Sequence, residues 1–391
     1  MLVEIKGVHF GNQGAHLMLL AALERLVPAI PGLQVVLATG PNCSPAQVRD
    51  VAACRKLKLR KRWLDLNGLS YRWPDALDAT LNRLGFAAEG QVDAILDASG
   101  FAYGGHWTEW LMVYAAAEIE RGASRGRPYV FLPQAFGPFA TGRASSAFAE
   151  ALDRAALVCV RDEQSGQYLR ELCGHVPEHC VRFPDFTIGV SGDTRAAARL
   201  GVDRSTVLLV PNRHMASASN SNAEWRAGYL QFLTELARNL LREGHKVAVL
   251  NHEGRDDAPL CDRVAAAAGG LQVIREHDPR ATKGVIGSAA AVVCSRFHGC
   301  VAALSQGVPC LGTSWSHKYG ALFADFGVDE WLLRDCDVPS TAARLTHLLD
   351  NRAAYAEQLL TRAATLSAQT EAMWIRVLNI LRGSGKGWCA S

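Results

Sequence analysis

An arginine and a histidine stand one residue apart in the run Cys294-Ser295-Arg296-Phe297-His298-Gly299. The apolar stretch Ala291-Val292-Val293 precedes them. A helical pattern over residues 297–306 follows, closed by Gly307 ahead of Val308-Pro309. The pair therefore sits where a strand passes into a helix. A helix N-terminus offers unpaired N–H groups and partial positive charge, so an anion fits there. Arg296 adds a planar fork matched to carboxylate or phosphate. The competing reading is that Arg296 pairs with a local acid and His298 merely caps or packs.

Other turns of the same kind surround this one. The next strand runs into Thr313-Ser314-Trp315-Ser316-His317-Lys318, which brings Lys318 within reach of the same anion unless it is simply solvated. Earlier, Val210-Pro211-Asn212-Arg213-His214 places Asn212 and Arg213 directly after a strand. The Ser-, Ala- and Asn-rich residues 215–222 behind them suit a substrate loop. Arg213, Arg296 and Lys318 thus converge on one small polyanion. In the first half of the chain the corresponding turns are Gly11-Asn12-Gln13-Gly14, Ala98-Ser99-Gly100 leading to Tyr103-Gly104-Gly105-His106-Trp107, and Pro133-Gln134-Ala135-Phe136-Gly137-Pro138. Glycine permits close backbone approach to a ligand and aromatic faces suit a sugar, although any one such glycine also reads as a tight turn. Asp162, after Arg161, reads as a helix N-cap.

The elements that must carry these turns alternate. Short apolar runs (residues 3–10, 35–37, 94–96, 129–132 and 157–160) are interleaved with amphipathic stretches such as residues 16–26, which predicts parallel sheets built of βαβ units. The glycine-bearing, weakly apolar residues 186–202 mark a domain boundary. A second series then begins at Val207 and continues through residues 246–250, 271–274, 291–294 and 308–311, with a helix near residues 224–242 and a last one at 361–381. The expected architecture is α/β: two doubly wound Rossmann-like domains, residues 1–190 and 191–391, in a glycosyltransferase-B-like arrangement. In such folds ligands bind beyond the carboxyl ends of the strands.

Composition narrows the partners. With 391 residues, 49% apolar and 20% charged, the chain is an ordinary folded protein of two-domain size. A net charge of +3 is too small for a nucleic-acid partner. The start shows no signal-peptide apolar region, no run approaches a membrane span, and eleven scattered cysteines read as reduced thiols, so a cytoplasmic location is expected. Cys173-Gly174-His175-Val176-Pro177-Glu178-His179-Cys180 lacks paired Cys-x-x-Cys arms and reads as a connector, with no metal site expected. The basic segment Arg55-Lys56-Leu57-Lys58-Leu59-Arg60-Lys61-Arg62-Trp63, with Tyr71 and Trp73 nearby, reads as a solvated helix face or as a peripheral contact with the anionic inner membrane leaflet.

The chain resembles the polysaccharide pyruvyl transferase family. The resemblance rests on Gly11-Asn12-Gln13-Gly14-Ala15, Pro133-Gln134-Ala135-Phe136-Gly137-Pro138, Val160-Arg161-Asp162 and Pro184-Asp185. Its most specific marks are Ser295-Arg296-Phe297-His298-Gly299 and Trp315-Ser316-His317-Lys318 after Gly307-Val308-Pro309. It implies transfer of the enolpyruvyl carbons of phosphoenolpyruvate, a co-substrate rather than a cofactor, onto a sugar or lipid-linked oligosaccharide as a cyclic ketal. Arg213, Arg296, Lys318 and Asn212 would bind the donor on the second domain. His298 would be the general acid, and Lys318 and Arg296 would assist loss of phosphate. Asn12, Gln13, Gly14, Tyr103, His106 and Gln134 would meet the acceptor on the first. Where family members often carry Gly-Gly-Gly, this chain reads Ser99-Gly100-Phe101, a departure on the acceptor side. The alternatives are a nucleotide-sugar glycosyltransferase, with Glu253, Asp256 or Asp257 on a ribose, and a non-catalytic sugar-binding protein.

Overall fold

Apolar runs of four or five residues are too short to bury a helix face and become strands covered on both sides. Residues Thr206–Val210, Ala291–Cys294 and Leu157–Val160 are buried throughout their length. The computed structural model describes residues 1–384 apart from 62–63, 105–106, 178 and 219. In chain order the strands are β1 (Leu2–Lys6), β2 (Gln34–Leu37), β3 (Cys54–Lys56), β4 (Arg60–Lys61), β5 (Leu64–Asp65), β6 (Phe86–Ala87), β7 (Ala94–Asp97), β8 (Tyr129–Gln134), β9 (Leu157–Val160), β10 (Cys180–Arg182), β11 (Thr206–Val210), β12 (Lys246–Leu250), β13 (Gln272–Ile274), β14 (Ala291–Cys294), β15 (Cys310–Thr313) and β16 (Leu332–Leu333).

The chain divides into two compact units. One comprises Met1–Phe10, Met18–Asp185 and the chain from Gln369 onward; the other comprises Gly11–Leu17 and Phe186–Ala368. The main division lies between Asp185 and Phe186, a few residues before the expected 190/191. Two segments, 11–17 and the end of the chain, belong to the other unit than a single cut assigns them. The last helix, Arg352–Ser384, is longer than the sequence pattern suggests and contributes residues to both units.

In the first unit eight parallel strands follow the order β10-β9-β8-β7-β1-β2-β3-β6. In the second, six follow β13-β12-β11-β14-β15-β16. The second order starts at β11, steps outward to β13, then resumes on the other side at β14. The carboxyl ends of β11 and β14 therefore flank a topological switch point, where a crevice opens for ligands. Among the described residues no helix is long and apolar enough to cross a membrane.

The basic segment corrects its expectation. It is no helix: Cys54–Lys56 is a strand of the first sheet, and Arg60–Lys61 pairs with Leu64–Asp65 as a hairpin. Nor do its cations form one solvated face, although Lys58 is exposed. Lys56 is buried and ion-paired with Glu4. Arg60 donates to Glu118 at 2.9 Å and lies over the Tyr114 ring. Arg55 covers Phe86, and Lys58 donates to the Thr39 carbonyl. Tyr71 lies beneath Arg125 and Arg127. Lys61 is exposed; Arg62 and Trp63 lie outside the described residues. A parallel sheet covered on both faces leaves a strand's polar side chains only internal partners, and Glu4 and Glu118 supply them. Burial opposes ionisation of Glu118, but Lys6, Lys56 and Arg60 together outweigh it and hold this carboxyl well below the usual range.

This arrangement predicts that Lys56→Ala destabilises the protein by about 3 kcal/mol, the low end for breaking a buried pair. The Glu4 carboxyl, raised by burial, can limit the cost by taking up a proton. Lys61→Ala should stay within about 0.5 kcal/mol of the parent. Equal effects of the two changes in urea unfolding would contradict the inward pairing of Lys56.

Candidate functional site

Four neighbouring strands of the second unit, β12, β11, β14 and β15, end in the turns that carry its chemistry. The base of the cluster is Ser295. Its hydroxyl accepts from Thr313 Oγ1 at 2.6 Å and is hydrogen-bonded to the Tyr229 hydroxyl. Its carbonyl accepts from Asn212 Nδ2 and the Tyr319 hydroxyl, both at 2.8 Å. Residues from two other strand ends and two helices thus fix the backbone immediately before Arg296. Asn212 receives a different job from the expected donor contact. Its Oδ1 accepts the His214 N–H at 2.9 Å while its Nδ2 clamps Ser295, so both ends of the buried amide hold backbone.

Arg296 is buried and its fork is engaged. Asp257 takes it side-on, accepting from Nε at 2.6 Å and Nη2 at 2.5 Å, and Glu253 pairs with Nη1. Asp257 also accepts the Arg213 N–H at 3.0 Å, and Glu253 accepts from Asn12 Nδ2 at 2.9 Å. The local-acid pairing weighed for Arg296 is therefore real, and it places the guanidinium at the strand ends with a fixed plane. Burial pushes the Asp257 carboxyl up to about 7 and the Arg296 guanidinium down to about 9. Glu253, Asp256 and Asp257, which the glycosyltransferase alternative assigned to a ribose, are ion-paired to Arg296 or Arg213.

His298 occupies the first turn of the helix Phe297–Leu304, its ring edge-to-face with Phe297. The backbone of Gly14 lies flat against it: a Cβ at position 14 would fall 2.1 Å from Nδ1 and 2.4 Å from Cγ. Only a residue without a side chain admits that approach. On the other flank, a Cβ at Gly299 would meet Cys294 Sγ at 2.6 Å and His252 Cδ2 at 3.6 Å. His252 is buried, and burial, then Arg296 and His298, push its pKa down to about 3.

The remaining cations meet around His214. Its ring stacks on Trp315 at 5.1 Å, and the Lys318 ammonium lies 5.1 Å from the Trp315 centroid and 5.4 Å from that of Phe297. Burial pushes the His214 pKa down to about 4, followed by repulsion from Arg296, Arg213 and Lys318. Arg213 is more exposed and pairs with Asp256 at 2.8 Å. His214 and His252 are thus neutral around pH 7 and hold no proton to donate.

The residues expected to meet an acceptor are dispersed. Asn12, Gln13 and Gly14 belong to the second unit, where Asn12 holds Glu253, Gln13 Nε2 donates to the Glu276 carbonyl at 2.8 Å and Gly14 carries His298. Tyr103 is a core residue of the first unit. It is stacked between Phe136 and Phe148 with its hydroxyl donated to the buried Asp97 at 2.5 Å, so neither face is open to a sugar. Gln134 is fully buried, its Nε2 3.4 Å from the Asp97 carbonyl. Both corrections share a cause: Asp97, at the carboxyl end of the central strand β7, takes both side chains, its carboxylate accepting from Tyr103 and its backbone carbonyl facing Gln134. His106 lies outside the described residues. Asp162 caps its helix as expected, accepting the Ser165 N–H at 2.7 Å. In the Cys173–Cys180 connector, His175 contacts Asp153 and His179 the Leu152 carbonyl; Glu178 lies outside the described residues.

Sequence reasoning passed over His252, and gave Glu253 and Asp257 a role only in an alternative. Yet Asn251-His252-Glu253 directly follows β12, the same signal that marks the other turns.

Two Rossmann-like units, each built on a parallel sheet, define a fold of the glycosyltransferase-B class. Solved structures agree on the fold. A putative UDP-N-acetylglucosamine 2-epimerase from Listeria monocytogenes is 13% identical, with a TM-score of 0.55 over 93% of this chain and 90% of its own. MnaA from S. aureus, solved with UDP, is 11% identical with a TM-score of 0.59 over 97% and 96%. The trehalose 6-phosphate synthase of Burkholderia multivorans is 12% identical with a TM-score of 0.55 over 98% and 99%. Identities this low establish the architecture alone. No curated protein matches the sequence at a significant level. The family model for polysaccharide pyruvyl transferase matches residues 12–317, and the chain belongs to that family.

Proposed function

We propose that the protein transfers the enolpyruvyl carbons of phosphoenolpyruvate to two hydroxyls of one sugar, forming a cyclic pyruvate ketal and releasing phosphate. The observation that carries this reading is the meeting of Arg213, Arg296 and Lys318 around His214, beside His298, at the switch point of the second unit. Three cations suit a donor that bears both a carboxylate and a phosphate. His298, near the buried His252, serves as the acid.

The chemistry balances as follows. His298 in its protonated form delivers a proton to the methylene carbon, which becomes a methyl group. The first sugar hydroxyl adds to the adjacent carbon and its proton restores His298. The bond from that carbon to the phosphate oxygen breaks, with Lys318 and Arg296 stabilising the departing charge. The second hydroxyl then closes the ketal and its proton leaves with the phosphate.

If the three cations hold the donor, Arg213→Ala, Arg296→Ala and Lys318→Ala each weaken phosphoenolpyruvate binding by about 1.5–3 kcal/mol, the range for hydrogen bonds to charged groups. Calorimetric titration measures this directly. Unchanged affinity in all three variants removes the site. Release of phosphate with a panel of glycosides and lipid-linked saccharides tests the reaction itself.

A further inference from the structure

The cations around Arg296 face carboxylates before any donor arrives. Arg213, Arg296 and Lys318 supply three cations, and Glu253, Asp256 and Asp257 supply three carboxylates, two of them directly on the Arg296 guanidinium. An anion bearing a carboxylate and a phosphate enters a cluster in which Arg213 and Arg296 are already ion-paired. Burial makes every uncompensated charge there expensive. Two responses are open: a carboxylate moves off the guanidinium, or one takes up a proton.

Asp257 is built against moving. It is fully buried in the first turns of the helix Gly254–Ala267, and three N–H groups from two residues converge on its two oxygens. Resting on the donor reading given above, we propose that Asp257 is the positioning residue that sets the plane of Arg296, and that donor binding is linked to uptake of a proton by this carboxyl.

Burial favours the neutral form, against the N–H groups that the charged form accepts. Burial is the main cause that raises Asp257, to about 7, with Asp256 and Cys294 acting in the same sense and Arg213 opposing. The other titratable neighbours are Tyr229 on the helix Ala223–Arg242 and Cys261 on Asp257's own helix. Burial raises both, so they stay uncharged around neutrality. An incoming anion raises Asp257 further. A group whose pKa is higher in the complex binds a proton on complex formation, so affinity is greatest at low pH. It is lost as pH rises through the pKa of the complex.

The test is titration of the full-length protein with phosphoenolpyruvate from pH 5.5 to 8.5, in buffers of different ionisation enthalpy, for the wild type and Asp257→Asn. The Asn variant keeps an acceptor oxygen of the same size and loses the titration. Wild-type affinity is expected to fall by up to about tenfold per pH unit above neutrality, with net proton uptake. The Asn variant should retain only the shallower slope of the ligand's own phosphate, which titrates near about 6. Cys294→Ala serves as the control and should keep the wild-type slope and proton uptake, with the midpoint moved to lower pH because the thiol helps to raise Asp257. Identical slopes and proton uptake in wild type and Asp257→Asn overturn the proposal and leave the donor reading standing. A lost wild-type response in Cys294→Ala overturns it too, by assigning the proton to the thiol. Should Asp257→Asn not fold, zero proton uptake by the wild type at pH 7.5 overturns it as well. A wild-type protein that binds no phosphoenolpyruvate overturns the donor reading, and this linkage with it.

Discussion

His298→Ala lowers turnover by about 10²–10⁴-fold, the usual worth of a positioned acid, while phosphoenolpyruvate affinity changes far less. The asymmetry follows from the geometry. The groups proposed to hold the anion are Arg213, Arg296 and Lys318, whereas His298, flanked by Gly14 and Phe297, is proposed to deliver the proton. The other imidazoles cannot substitute, because burial and the nearby cations keep His214 and His252 neutral. His298→Gln should recover little, since an amide does not donate its proton as an acid. Steady-state phosphate release alongside calorimetry separates the two quantities. Near-parental turnover in the Gln variant would falsify the acid role and leave His298 as a hydrogen-bonding residue.

Gly14→Ala should reduce turnover by about 10²-fold without contact with either reacting group. The added carbon would stand 2.1 Å from His298 Nδ1, closer than any non-bonded pair tolerates, so the imidazole or the segment Gly11–Leu17 must shift. A displacement of about 1 Å at a catalytic group is worth that much. A double-mutant cycle isolates the cause. In a His298→Ala background the same change has nothing to displace and should add little, giving a large coupling between the two positions. Additive effects, or a Gly14→Ala variant within twofold of the parent, would show that the close approach does not position the histidine.

Much of this was legible in the sequence. The strand-to-helix turns at Arg213, Arg296 and Lys318 were found because a parallel sheet delivers its chemistry at strand carboxyl ends, and short runs such as Val207-Leu208-Leu209-Val210 reveal a sheet covered on both faces. The motifs that carry the family resemblance lie on those same turns, and the family model matches residues 12–317. The basic segment at Arg55 misled for a physical reason. Cations at successive positions look solvated until the partners that neutralise them, Glu4 and Glu118, are brought alongside from about 50 residues away in either direction. Tyr103 and Gln134 misled because a glycine-rich turn has the same spelling whether its aromatic and amide face a ligand or turn to Asp97, Tyr103 to the carboxylate and Gln134 to the backbone carbonyl.

The sequence by itself determined the class of fold, the succession of βαβ units and the residue types at the ends of β11, β14 and β15, because each of these depends on local pattern and spacing. Only the tertiary structure decided the partners. It set Asp257 and Glu253 on Arg296, 39 and 43 residues away along the chain, laid Gly14 against His298, and put the segment Gly11–Leu17 in the second unit. Charge pairing and close packing are properties of distance in space. Where the chain returns from a remote element, no local pattern records which side chain it will meet.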